Sequence, residues 1–348
     1  MLRKPRMVGS KRQFLGAVLI VSLAGVLFFG IQAVKENSRR NTDNPFAYDL
    51  AEYISSGEDL ILYSEVPPLL PGLNQITALA VGKADRIYVA GDGGVTVFSS
   101  DGEKLAFHRL SDRAKAPTDF ETSFTPRCLA VDGNGDIYAG MAEGIVILDS
   151  RGSIKASWES PSDKAIFTSI ALAEEYVFVA DAGTRVVWRL DRSGLNPRRI
   201  GDRNPDRDIP GFVIPSPYFD VAVDDDGFVW AANTGRHSLE NYTVDGDLRA
   251  SWGEFSMTIE GFCGCCNPSH FALTADGSFV TSEKGIPRIK IINRAGLLAA
   301  VVAVPSQFAE GTKGLDLAVD SGGRILVLDP VRKTVRIFIE KKKEGKQP

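Results

Sequence analysis

An all-β, six-bladed propeller, preceded by an amino-terminal transmembrane helix, is the architecture that this 348-residue sequence predicts. Three observations point to it. A short apolar strand built around an alanine recurs six times at a spacing near 50 residues. Gly/Asp turns and further apolar strands follow in a fixed order. A single long apolar run stands ahead of the repeats, behind five basic residues.

The apolar run extends from Phe14 to Val34 and is broken only by glycines, Ser22 and Gln32. A helix of about 20 apolar residues crosses the hydrocarbon layer, and this run meets that length. Cleaved signal peptides carry a shorter apolar region of roughly 7–15 residues. Ser22-Leu23-Ala24 would permit cleavage, but it falls in the middle of the run. An uncleaved anchor is therefore expected. Arg3, Lys4, Arg6, Lys11 and Arg12 should hold its leading flank in the cytoplasm, which exports the rest of the chain to the periplasmic or extracytoplasmic side. The expected division is a basic segment 1–13, an anchor 14–34, a linker 35–58, a propeller 59–340 and a basic tail 341–348.

Residues 1–40 carry eight Lys/Arg against one acid, a net of +7, whereas the remainder carries 32 basic and 43 acidic side chains, a net of −11. An acidic body offers no electrostatic footprint for nucleic acid, so none is expected as a partner.

In the repeats, the first strands read Ala78–Val81, Cys128–Val131, Ser169–Leu172, Asp220–Val223, His270–Leu273 and Asp316–Val319. Their alanines lie 50, 41, 51, 50 and 46 residues apart. Turns such as Asp132-Gly133-Asn134-Gly135 and Asp320-Ser321-Gly322-Gly323 lead to second strands, for example Ile87–Ala90 and Ile325–Leu328. Third strands include Val95–Phe98, Ile145–Leu148 and Val335–Phe338. Four short strands every ~40–50 residues is the signature of a propeller blade. The last copy ends after its third strand, at Ile339, so Leu60–Ser64 is expected to supply its outer strand and close the ring.

The pattern of a small residue, Val/Leu and Asp, then Gly, then Ile-Tyr-Val-Ala with a following Asp or Asn resembles NHL repeats. Asp181, Asp329 and Asn233 occupy the last position. The resemblance implies the propeller fold and leaves function open, since such propellers include scaffolds, extracellular receptor modules and a peptide-amidating lyase. In the lyase members zinc-binding histidines stand at places comparable to His270, and His270 alone matches.

Long inter-blade connections, 111–125, 201–217, 253–269 and 303–314, should gather on one face, where binding usually concentrates. The residue two before each repeat alanine should ring the axis: Ala78, Cys128, Ser169, Asp220, His270 and Asp316. Asp220 and Asp316 are the candidate catalytic bases.

Gly261 to His270 contains Cys263, Cys265 and Cys266, and the fourth cysteine, Cys128, shares a ring position with His270. Three readings stay open. Thiolates plus imidazole suit zinc, copper(I) or iron–sulfur chemistry, with Cys128, Cys263, Cys265, Cys266 and His270 as candidate ligands. Adjacent Cys265 and Cys266 could instead form a redox-active disulfide, or the cysteines could pin the loop with a structural one. Isolated His108 and His237 read as surface or satisfied histidines, and Asn241-Tyr242-Thr243 fits a glycosylation sequon. The functional expectation is a membrane-tethered module that binds a small molecule or protein on its loop face. The alternatives are a metal-dependent enzyme and a thiol/disulfide or cofactor-carrying protein.

Overall fold

The computed structural model describes residues 57–110, 125–142 and 144–342. The expected anchor 14–34 and its basic flank lie outside these residues, as do most of the linker and the tail. Among the described residues no helix is long and apolar enough to cross a membrane.

Six four-stranded antiparallel sheets form the blades. The innermost strands are β2 (Ala78–Val81), β6 (Cys128–Val131), β10 (Phe167–Leu172), β14 (Val221–Val223), β18 (His270–Leu273) and β22 (Leu317–Val319). Each inner strand packs against the next, and β22 packs back on β2, so they close a ring about one axis.

A strand sends successive side chains to opposite faces. Here both faces of every blade are covered by its neighbours, so the strands read as apolar runs and not as alternating ones. Within Ile325–Asp329 (β23), Ile325 and Val327 join a cluster with Val280, Ile289 and Ile291 of the preceding blade. Leu326 and Leu328 join a cluster with Ile76, Leu79 and Val89 of the first blade. Comparable clusters fill the other interfaces. The repeat alanines sit on the inner strands, Ala80, Ala130, Ala171 and Ala318 buried and Ala222 and Ala272 half-buried beside the axial cavity.

The sixth blade takes its outer strand from the front of the chain. Tyr63–Leu69 (β1) pairs antiparallel with Thr334–Glu340 (β24), from Tyr63 opposite Glu340 to Leu69 opposite Val335. The strand begins later than Leu60 because Ile61 forms a parallel bridge to Val301 of the fifth blade instead. Its register shifts between Val66 and Leu69, around Pro67-Pro68. Proline has no N–H to donate to a ladder, which confines it to edges and bulges such as this one. Glu65 accepts from the buried Arg336 of β24 at 2.8 and 2.7 Å, an ion pair that fixes the closure.

Candidate functional site at the axis and the cysteine loop

The inner strands border an open cavity of about 300 Å³ lined by residues that include Cys128, Ser169, Asp220 and Asp316. Four of the six ring positions expected from the repeats thus line it, and the aspartates have a specific structural task there. Asp220 Oδ2 accepts the backbone N–H of Phe271 on the next blade at 2.8 Å, while its Oδ1 accepts that of Val221 at 2.9 Å. Asp316 treats the first blade the same way, taking the N–H of Leu79 at 2.8 Å and that of Leu317 at 2.8 Å. Ser169 Oγ meets the N–H and carbonyl of Val221 at 3.3 Å. One polar side chain at the head of an inner strand therefore ties that strand to the next.

His270 stands between the two carboxylates. Its Nδ1 lies 3.6 Å from Asp220 Oδ2 and 3.7 Å from Asp316 Oδ1, with only 14% of its side chain exposed. Burial opposes a charge on the ring, but the Asp220 and Asp316 carboxylates outweigh it and raise the imidazole above its ordinary value. Burial likewise pushes Asp316 up to about 6, against the pull of His270 and with a further push from Asp220. His270 thus sits against two carboxylates in a negatively biased pocket.

Cys128 faces the same axis as a neutral thiol. Burial first, then Asp316 and Asp220, push its ionisation far above the ordinary thiol range. A Cβ on Gly140, its strand partner, would come within 2.3 Å of the Cys128 sulfur. Glycine at 140 makes room for the thiol.

The other cysteines stand elsewhere on the loop face. Cys263 is buried, and its N–H donates to Glu283 Oε2 at 3.1 Å. Burial and then the Glu283 carboxylate raise its thiol. Glu283 in turn receives Arg288 Nε at 2.7 Å and Lys290 Nζ at 2.9 Å, all three side chains fully buried. Arg288 and Lys290 both donate onward to the carbonyl of Gly261, at 3.2 and 2.6 Å, and so pin the loop that leads to the cysteines. Gly264 turns the chain between Cys263 and Cys265 at φ +76°, a backbone conformation open to glycine and strained for other residues. His237 is not isolated, since its Nε2 contacts the Gly264 carbonyl and braces this turn.

Cys265 is exposed and Cys266 buried, with their sulfurs 3.2 Å apart and unbonded. Lys284, on the turn after Phe279–Glu283 (β19), donates from Nζ to Ser216 Oγ at 3.2 Å and lies 4.7 Å from the Tyr218 ring centre. Tyr218 meets the His270 ring edge-to-face at 6.0 Å. Asn267 fastens the cysteine loop to this turn by accepting the Lys284 N–H at 2.9 Å and donating to the Lys284 carbonyl at 2.9 Å. Burial alone would raise Cys266, but Ser216, Cys265 and Lys284 bring it below the ordinary thiol value. Cys265 is raised, first by its contact with Cys266 and then by burial.

The five metal-ligand candidates thus occupy three places: the axis, the Glu283 cluster and the Lys284 turn. Among the described residues no group of three or more His, Cys, Asp or Glu side chains is arranged to hold one metal ion. The donor set does not fit zinc, copper or iron as it stands. Ser216, Tyr218 and Lys284 were not foreseen from sequence, because they lie on irregular loop and turn positions outside the repeat. Asn241 of the sequon is buried and accepts from Arg249 at 2.8 Å, which leaves its amide no access to a glycan.

Fold and site together define a six-bladed β-propeller with a carboxylate-flanked histidine on its axis. No protein-family model matches the chain, and the NHL resemblance is not confirmed. Solved structures similar to the chain in fold include a lyase and a gluconolactonase. A streptogramin B lyase is similar over 80% of this chain and 97% of its own, with 12% identity and a TM-score of 0.55. Virginiamycin B lyase from Staphylococcus aureus matches over 82% and 89%, with 14% identity and a TM-score of 0.54. A gluconolactonase from Xanthomonas campestris matches over 79% and 89%, with 13% identity and a TM-score of 0.56. At these identities the likeness speaks for the fold alone.

Proposed function

We propose that the protein is an exported propeller, tethered to a membrane by residues 14–34, that binds a small polar molecule at the axial mouth through His270. The observation that carries this reading is the placement of His270 Nδ1 between Asp220 and Asp316. With Nδ1 turned to the carboxylates, a molecule arriving at the loop face would meet the Nε2 edge, beside Tyr218. The carboxylates favour the protonated ring, so the site presents a hydrogen-bond donor backed by negative charge. Such a group suits a ligand with a carbonyl or hydroxyl oxygen for Nε2 and no anionic group near the aspartates.

A second reading is enzymatic. His270 raised and Asp316 raised side by side are the kind of perturbed pair that acid–base chemistry uses. The fold's similarity to a lyase and a gluconolactonase makes this reading compatible with the architecture without choosing a reaction.

Thermal-shift screening of the full chain in mild detergent against a library of polar metabolites tests the binding reading, with H270Q as the control. Compounds that raise the melting temperature of the wild type and not of H270Q are expected. Stabilisation that survives in H270Q, or none across the library, would overturn it. Carbonate washing of cell membranes tests the tether, because release of the full chain into the wash would count against a spanning helix.

A further inference from the structure

The Cys265–Cys266 pair has no part in the axial site, and its surroundings differ from those of the other two cysteines. Cys128 and Cys263 are buried thiols held neutral by burial and nearby carboxylates. Cys265 opens to solvent, whereas Cys266 lies just beneath it among the Lys284 ammonium and the Ser216 hydroxyl. The two sulfurs are in contact at 3.2 Å. The loop that carries them is held from both sides, by Asn267 on the Lys284 turn and by Glu283, Arg288 and Lys290 beneath Gly261. An exposed thiol, a partner thiol beneath it and a fixed cation form an ordered pair of unequal sulfurs, which a loop-pinning staple would not require.

We propose that Cys265 and Cys266 are a thiol–disulfide exchange site for low-molecular-weight disulfides, with Cys265 as the attacking sulfur and Cys266 as the resolving one. Only the thiolate attacks a disulfide. Lys284, Ser216 and the contact with the Cys265 thiol favour the thiolate at Cys266, and the exchange runs from that form. As the disulfide R–S–S–R reaches the exposed sulfur, Cys265 passes its proton to Cys266 and attacks. A Cys265–S–S–R bond forms, the R–S–S–R bond breaks, and one R–S⁻ leaves. Cys266 then gives its proton to that departing thiolate and attacks the Cys265 sulfur. The Cys265–Cys266 bond forms and the second R–S⁻ leaves, taking a proton from water. The balance is one protein thiol and one protein thiolate oxidised to one disulfide, while one small disulfide, with the thiol's proton and one from water, is reduced to two thiols. Lys284 supplies charge throughout and is not consumed.

The experiment uses the reduced full chain in mild detergent and dithiodipyridine as the probe disulfide, with thiopyridone release read by absorbance and the product read by peptide mass mapping. In the fast phase the wild type should release two equivalents of thiopyridone and leave the 265–266 peptide lighter by two hydrogens, without a retained pyridyl group. C266S should release one equivalent and keep the pyridyl group on Cys265. C265S should lose the fast phase, and K284M should slow the wild-type reaction at least tenfold. A wild-type product that keeps a stable pyridyl adduct would overturn the proposal, as would a fast phase unchanged in C265S. The wild-type mass map decides without any variant, and it is independent of the ligand reading at His270.

Discussion

Asp316 Oδ2 accepts the backbone N–H of Leu79 at 2.8 Å, so the last blade grips the first at the axis as well as at the rim. A carboxylate hydrogen bond of this kind contributes about 1.5–3 kcal/mol. D316A should therefore destabilise the chain by about 2 kcal/mol, and D316N, which keeps an acceptor for the Leu79 amide, should cost less. Urea midpoints of the two variants at pH 7 test the ordering. Equal losses would mean that the clip is not what Asp316 contributes.

The same residue makes an acid–base prediction. Asp316 is raised from the ordinary carboxylate value of 3.8 to about 6, so the folded state holds a proton there that the unfolded chain has already lost. Stability from this group is present below pH 4 and falls as the pH rises towards 6. His270 is also raised, so its contribution is full below 6.5 and fades as the pH climbs through the folded value. Both slopes have the same sign. The stability of wild type relative to D316N should decline between pH 4 and 6, and relative to H270Q above pH 6.5, as measured by denaturant unfolding at a series of pH values.

Glu283 is the counter-charge for two buried cations. Removing one partner of a buried ion pair typically costs about 3–5 kcal/mol because the other charge is left unpaired. E283Q should fall in that range and should speed proteolysis between residues 254 and 267. K290M introduced into E283Q removes one of the stranded charges and should recover part of the loss. Simple additivity of the two substitutions would break the argument.

Closure at the rim depends on Glu65 and Arg336. E65A strips the bidentate partner from an almost fully buried guanidinium, which retains Asp329 only at 3.9 Å. A loss of about 2 kcal/mol is expected, with faster amide exchange confined mainly to residues 63–69. Exchange that rises evenly across all six blades would show that β1 is no separate weak point.

The blades were legible in the sequence because a repeated packing problem leaves a repeated answer. Ala80, Ala130, Ala171, Ala222, Ala272 and Ala318 mark the inner strands because each holds the same place in its blade. The ring positions followed from that register, and Asp220, His270 and Asp316 do meet at the axis. What the register could not convey was their mutual roles, because an aspartate that clips a neighbouring amide and one that serves as a base look alike in one dimension. The concentration of cysteines between 263 and 266 was plain, yet their separation from Cys128 was not. That separation follows from the Lys284–Asn267 and Cys263–Glu283 hydrogen bonds, which span 17 and 20 residues. Lys284 and Tyr218 obey no period, and contacts made by irregular loops leave no trace in spacing.

Tyr63 faces Glu340 at one end of the β1–β24 pair, and the Lys341 N–H reaches the Leu62 carbonyl at 2.8 Å. The chain thus enters and leaves the ring side by side. A load drawn between its two ends would meet these bonds one after another, starting at Leu62 and Lys341, and would not shear them all at once. Mechanically, the ring would open like a zipper at its seam while the other five blades still held their shape.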